Sequence, residues 1–296
     1  MVLAYVLVTA AHNEEEHIEK TIHSVLSQTV KPMRWVIVND GSSDETESIV
    51  RSYCSVTNWI ELYNMPQRTE RSFAGKAVAF NSGCDRIRHL SYDLVGNLDA
   101  DISFDADYFE YLIHKFEGMP ELGVAGTHYI ENEFHSFHDS YINVHHVNGQ
   151  CQLFRRKCFT GIGGYVPIKG GGIDWVAVTT ARMKGWQTYS FDERVFVHHR
   201  AMGTAGSNVY ISRFKYGKKD YVLGNHPLWE FLRVIYQVAK KPYVFGGLCL
   251  LFGYFWAWIS REKRPISKEL VQFHRSEQTQ RLKELLQNRF RSIKKR

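Results

Sequence analysis

The chain has 296 residues, 44% of them hydrophobic, and a net charge of +6. That is room for one large domain with extensions, or two small ones, with enough apolar side chain for a core, so a disordered chain is excluded. Five scattered cysteines, Cys54, Cys84, Cys151, Cys158 and Cys249, form no CxxC pair, which argues against a zinc ribbon, a thioredoxin-like motif or a disulfide framework and makes a reducing, cytoplasmic setting the expectation.

The opening MVLAYVLVTAAHNEEE has no basic start and runs straight into acids, so Leu3–Thr9 reads as a buried strand and not as a signal peptide. Ile18, Ile22, Val25 and Leu26 then follow the helical period, with Asn13 and Glu16 resembling a capping box. RWVIVND (Arg34–Asp40) predicts a second strand and GSSDETESIVRSY a second helix. WIELYN, GKAVAFNSGCDRIR and DLVGNLDAD continue as strand, helix, strand. This alternation predicts parallel βαβ units, an α/β fold with helices on both faces of a mostly parallel sheet.

After Asp101, FDADYFEYLIHKF reads as a helix and CQLFRR as a strand. IDWVAVTTARMKG reads as a helix stopped by Gly185. WQTYSF and RVFVHH read as two short strands. Beyond Ser207 the pattern is helical. Pro242–Ser260 carries no charge, is flanked by Lys240, Lys241, Arg261, Lys263 and Arg264, and ends in aromatics. Its length is close to the roughly twenty residues a bilayer span needs. It is expected to enter a membrane or lie along one, the alternative being a helix of the core. From Arg261 onward twelve Lys/Arg stand against four Asp/Glu, a surplus of eight that leaves the rest of the chain at about −2. The basic tail therefore implies an anionic partner, a membrane surface in preference to nucleic acid, because its aromatics cluster in the uncharged run and do not alternate with the basic residues.

The chemistry concentrates where strands end in acids. Asp40 closes one apolar run, and Asp99 with Asp101 closes another across Ala100. Ligands of open α/β sheets sit beyond the carboxyl ends of strands, and crowded carboxylates need a cation or a proton. A divalent metal bridging a diphosphate meets that need, whereas a solvated turn is the bland alternative. The crowded histidines His128, His135, His138, His145 and His146 match no metal-ligand spacing and are expected to line a cleft. Ala201–Ser207, small and polar, is expected to close over the site or to act as a plain linker.

The pieces TAAHNEEEHIEKTIHSVLSQ, VIVNDGSSDETESIV, GKAVAFNSG, NLDADI, LFRRKCFTGIGGY and GGGIDWVAVTTARMKGWQT, in this order, resemble the family-2 glycosyltransferases of the GT-A fold over roughly residues 3–200. The C-terminal third resembles membrane-associated tails of bacterial polysaccharide-assembly members. The resemblance implies two domains, a GT-A catalytic domain over 1–206 and a helical, basic and aromatic membrane-associating extension over 207–296. It implies an inverting, metal-dependent transfer of sugar from a UDP- or GDP-sugar to a hydroxyl of a lipid-linked or polysaccharide acceptor, at the cytoplasmic face of the cell membrane. Thr9, Ala10 and Asn13 would face the donor base, although Thr9-Ala10-Ala11-His12-Asn13 stands where members often have Pro-x-Tyr-Asn. Asp40 would accept from the base, Lys76 would lie by the nucleotide or sugar, and Asp99 with Ala100 would line the ribose or sugar. Asp101 would hold Mn²⁺ or Mg²⁺ in the manner of a DXD motif. Asp174 would be the general base, with Ile173 in place of the usual glutamate before it. His198 would complete the metal site, with His199 pointing elsewhere. Two rivals follow from the fold: a sugar nucleotidyltransferase, against which the acidic TAAHNEEEH counts, and a non-catalytic membrane scaffold.

Overall fold

The structure is a computed structural model that describes residues 3–66, 73–136, 144–200 and 208–294. The chain divides into two compact units, Met1–Ala201 and Met202–Arg296.

The first unit opens as the alternation predicts. Strands β1 (Tyr5–Ala11), β2 (Arg34–Asn39), β3 (Ile60–Asn64) and β4 (Leu94–Leu98) are separated by helices α1 (Ile18–Leu26), α2 (Thr46–Val56) and α3 (Phe73–Ile87). These strands pair in parallel, with Ala11 level with Asn39 and Val8 level with Asn97. Their carboxyl ends therefore share one edge. Apolar runs such as YVLV and WVIV are buried on both faces, as a covered parallel sheet requires. Asn13 does not cap α1. It adopts a left-handed backbone (φ 55°), and its side-chain oxygen accepts from the Ser43 amide at 2.8 Å, while the N-cap of α1 is His17, which makes no side-chain capping bond.

Beyond β4 the chain adds β5 (Ile102–Ser103), α4 (Tyr108–Gly118), β6 (Leu122–Glu131), β7 (Phe134–His135), β8 (Cys151–Arg155), α5 (Arg156–Ile162), α6 (Ile173–Met183) and β9 (Gln187–His198). Among the described residues, nine strands form one sheet in the order β3-β2-β1-β4-β8-β6-β9-β5, with β7 on β6. The expected mostly parallel sheet is corrected here. β8 runs antiparallel to both β4 and β6, and β5 antiparallel to β9, so the sheet is mixed. The two short strands expected around 186–199 are one strand. Its acidic middle, Asp192–Glu193, is a bulge where the register against β6 slips, and Glu193 and Arg194 turn to Lys115 and Asp107 beside α4.

The second unit holds α7 (Val209–Val222), α8 (Pro227–Val238), α9 (Tyr243–Ile259) and α10 (Lys268–Lys294). Here the expected membrane-associating extension is overturned. The uncharged run folds into α9, seventeen residues long, about 26 Å against a hydrocarbon core of about 30 Å. Among the described residues, no helix is long and apolar enough to cross a membrane. One side of α9 packs on α7 at backbone distance: a Cβ on Gly253 would lie 2.0 Å from the Phe214 carbonyl oxygen.

Candidate active site

The parallel strands deliver Asp40 and Asp99 to one edge. Asp40 follows β2, its amide donating to the Ala11 carbonyl at 2.8 Å, and His12 Nδ1 lies 2.7 Å from the Asp40 carbonyl oxygen. Ala10 is half-buried at the end of β1, and Asn13 is exposed in the turn beyond it. Thr9 is one residue deeper and fully buried, its hydroxyl accepting from the Trp35 indole at 3.0 Å. Its side chain is spent in the core.

Asp99 forms an ion pair with Lys76, which α3 carries to the same edge. Burial raises the Asp99 pKa above the ordinary carboxylate value; Lys76 pulls it down and Asp101 pushes it up. Burial works against the Lys76 ammonium, but the carboxylates of Asp99, Asp174 and Asp101 outweigh it and hold its pKa above the usual lysine value. Ala100 is buried between the two acids.

Asp101 meets His198. The strand pair β5–β9 sets Ile102 level with His198, and the His198 Nε2 lies 3.5 Å from Asp101 Oδ2. Burial disfavours the Asp101 carboxylate, yet His198, Lys76 and Arg200 more than compensate, so its pKa falls below the ordinary value. Burial likewise disfavours the His198 imidazolium, and Asp101 and Glu131 overcome it, raising the pKa to about 9. His199 faces away, its Nε2 at 2.8 Å from the Ser103 hydroxyl and its ring stacked on His17.

Two residues that no local pattern marks complete the cluster. Glu131 Oε2 lies 2.8 Å from His198 Nδ1. Arg200 grips the buried Glu14 through two nitrogens, at 3.1 and 2.6 Å, and its Nε lies 3.9 Å from Asp101 Oδ2. Pairing of distant strands brings them here, so only the sheet topology could have found them.

Asp174 lies in the first turn of α6, two residues after the N-cap Gly172. It packs on Gly149. A Cβ at 149 would sit 2.8 Å from both the Asp174 Cβ and Oδ2, so only glycine lets the two approach. The next residue, Gln150, accepts from the Asp99 amide at 2.8 Å, and the Gly149 carbonyl accepts from Asn97 at 2.7 Å. The Gly149–Gln150 backbone thus links the Asp174 carboxylate to the acid end of β4.

Among the described residues, no group of three or more His, Cys, Asp or Glu is arranged to hold a metal ion. Asp101 and His198 offer one carboxylate oxygen and one imidazole nitrogen 3.5 Å apart. These donor types suit a hard-to-borderline divalent cation. Of the histidines expected to line a cleft, His128 lies by the Ser136 hydroxyl and His145 by the Thr188 carbonyl, both at 3.3 Å. His138 and Ala201–Ser207 lie outside the described residues.

Comparison with known proteins bears on this site. Residues 6–163 match the family profile "Glycosyl transferase family 2". Over 125 residues the chain is 37% identical to a poly-β-1,6-N-acetyl-D-glucosamine synthase of Staphylococcus aureus (strain COL), covering 42% of this chain and 28% of that protein. The chain thus spans little more than a quarter of the length of that relative. Among solved structures, it resembles the mannosyltransferase PcManGT from Pyrobaculum calidifontis in complex with GDP-Man and Mn²⁺ (TM-score 0.62, 17% identity, 88% of this chain and 89% of that one). It also resembles S. aureus TarS 1–349 in complex with UDP-GlcNAc (TM-score 0.56, 12% identity, 88% and 74%). At these identities the likenesses establish the fold, a GT-A-like α/β fold.

Proposed function

Because the chain belongs to glycosyl transferase family 2 and is an enzyme of that class, we propose that it transfers a sugar, with inversion, from a UDP- or GDP-sugar to an acceptor hydroxyl. The acceptor on this reading is a lipid-linked or growing polysaccharide, met at the cytoplasmic face of a membrane. Support for the donor class comes from the GDP-Man and UDP-GlcNAc bound by the two structural neighbours, and support for a glycan acceptor from the polymer synthase.

The single observation that carries the chemistry is the Gly149–Gln150 bridge, which puts Asp174 beside the edge where Asp99 and Lys76 meet. The base of the donor lies by Asp40, whose carboxylate accepts from a ring N–H, with Ala10 and Asn13 alongside. Asp99, oriented by Lys76, accepts from a ribose or sugar hydroxyl next to Ala100. Asp101 and His198 are the residues that would hold Mn²⁺ or Mg²⁺. When bound, the cation supplies positive charge for the departing diphosphate. Arg200 adds a fixed positive charge on the same side.

Asp174 then takes the proton of the acceptor hydroxyl as its oxygen attacks the anomeric carbon. The new C–O bond forms as the bond to the diphosphate breaks, and one base on the acceptor side suffices for inversion. The test is turnover. The protein is incubated with a panel of UDP- and GDP-sugars, Mn²⁺ and lipid-linked or oligosaccharide acceptors, and release of nucleoside diphosphate is followed with the anomeric configuration of the product. Product of inverted configuration from one donor supports the reading. Retained configuration, or no release with any donor, contradicts it.

A further inference from the structure

Resting on that reading of the donor site, we infer that Glu131 is a positioning residue: its carboxylate fixes the imidazole of His198 so that Nε2 faces Asp101. Glu131 ends β6, one residue before the left-handed backbone of Asn132 (φ 53°), and His198 ends β9. These strands run parallel, with Ile130 level with Val197, so Glu131 and His198 emerge side by side. Oε2 of Glu131 lies 2.8 Å from Nδ1, and Nε2 on the other side of the ring lies 3.5 Å from Asp101 Oδ2. The three side chains are 14%, 7% and 11% exposed, so water does little of the orienting. Tyr129 adds an edge-on contact to the ring at 6.2 Å.

The chemistry of the pair sets the tautomer. A carboxylate only accepts, so Nδ1 carries the hydrogen it donates to Glu131. In the neutral ring the lone pair is then on Nε2, the nitrogen beside Asp101. A ligating imidazole needs that arrangement, and a carboxylate behind it also raises its basicity. Without Glu131 the ring is free to turn about its outer torsion, and either nitrogen can face Asp101. Glu131 itself touches neither donor nor acceptor on this reading.

The experiment is Mn²⁺ binding followed by electron paramagnetic resonance, with UDP and separately with GDP, in the full chain. Glu131→Ala is expected to weaken Mn²⁺ about 10- to 100-fold, the usual effect of losing such a partner. Glu131→Gln, whose amide oxygen still accepts from Nδ1–H, is expected to recover part of that loss, which a merely structural role would not predict. Asp101→Asn and His198→Ala are the reference variants. If both lose Mn²⁺ while Glu131→Ala stays within about twofold of wild type, the inference on Glu131 is overturned and the donor-site reading survives. If Asp101→Asn binds Mn²⁺ as wild type does, the donor-site reading falls and this inference with it. Should Glu131→Ala fail to fold, Glu131→Asp carries the test: it keeps the charge but shortens the reach. A weakening of about fivefold or more is expected, and a change within about twofold overturns the proposal.

Discussion

The two units treat charge in opposite ways. In Met1–Ala201 the acids Asp40, Asp99 and Asp101 collect at one edge of the sheet, met by Lys76, His198 and Arg200. In Met202–Arg296 a cluster of polar groups is buried between the helices. α8 buries Glu230, Val234 and Gln237 and turns Leu228, Phe231, Leu232 and Ile235 outward. Around Glu230 lie Asp220, Arg233, Asn225, His274 and Gln278, linked by ion pairs and hydrogen bonds. Phe245, Phe252 and Trp256 of α9 are likewise exposed. Buried charge in the first unit gathers at one edge of the sheet. In the second it ties helices together.

Substitutions can break this comparison, and the largest effect belongs to the first unit. Asp174→Asn is expected to lower kcat about 10²- to 10⁴-fold, the range for losing a general base, while nucleotide affinity stays unchanged. Equal losses in kcat and nucleotide binding would show that Asp174 shapes the donor site instead.

The second unit makes a prediction about pH. Burial, with Asp220 adding repulsion, raises the Glu230 pKa to about 7. The folded state thus keeps its proton where the unfolded chain has lost it. Stability is greatest below the unfolded carboxylate value near 4.5, declines as pH rises from there, and levels off above about 7. The expected decline is on the order of 3 kcal/mol, read by urea denaturation of the second unit's transition across this window. Glu230→Gln should flatten the profile, and an unchanged slope would mean that other groups titrate there.

Arg233→Ala leaves the buried Asp220 without its cation. Because the guanidinium is itself partly solvated, the loss should be about 2 kcal/mol, below that of a fully buried pair. Denaturation at pH 8 measures it, and Arg233→Lys should recover part. Gly149→Ala sharpens the first unit's side of the contrast. The added methyl meets the Asp174 carboxylate, and kcat should fall about tenfold with a smaller change in global stability. The smallest effect is expected at the outward aromatics. Phe252→Ser should change stability by less than about 0.5 kcal/mol, because that ring has little burial to lose.

The same contrast explains what could be read from the sequence. Strands β1, β2 and β4 are largely apolar runs followed directly by polar residues, His12, Asp40 and Asp99, so their shared edge follows from local pattern alone. Asp40, Asp99 and Asp101 are legible for that reason. Thr9 looks like an edge residue in the sequence, but strand alternation turns its hydroxyl to Trp35. Glu131 and Arg200 are illegible because their partners, His198 for Glu131 and Glu14 and Asp101 for Arg200, lie far away in the chain. The antiparallel β8 also escapes an alternation rule, since nothing in CQLFR states its direction. In the second unit, hydropathy misleads: an uncharged run suggests a span, whereas seventeen residues with glycines on one side make a helix that packs on α7.

The central claim is that Asp101 belongs to a cation-dependent nucleotide site. Titration calorimetry with UDP and with GDP, each with and without Mn²⁺, on wild type and Asp101→Asn tests it most directly. The account predicts that one nucleotide binds wild type tightly only with Mn²⁺, and that Asp101→Asn abolishes the dependence. Binding of neither nucleotide under either condition, or metal-dependent binding that survives Asp101→Asn, would contradict it.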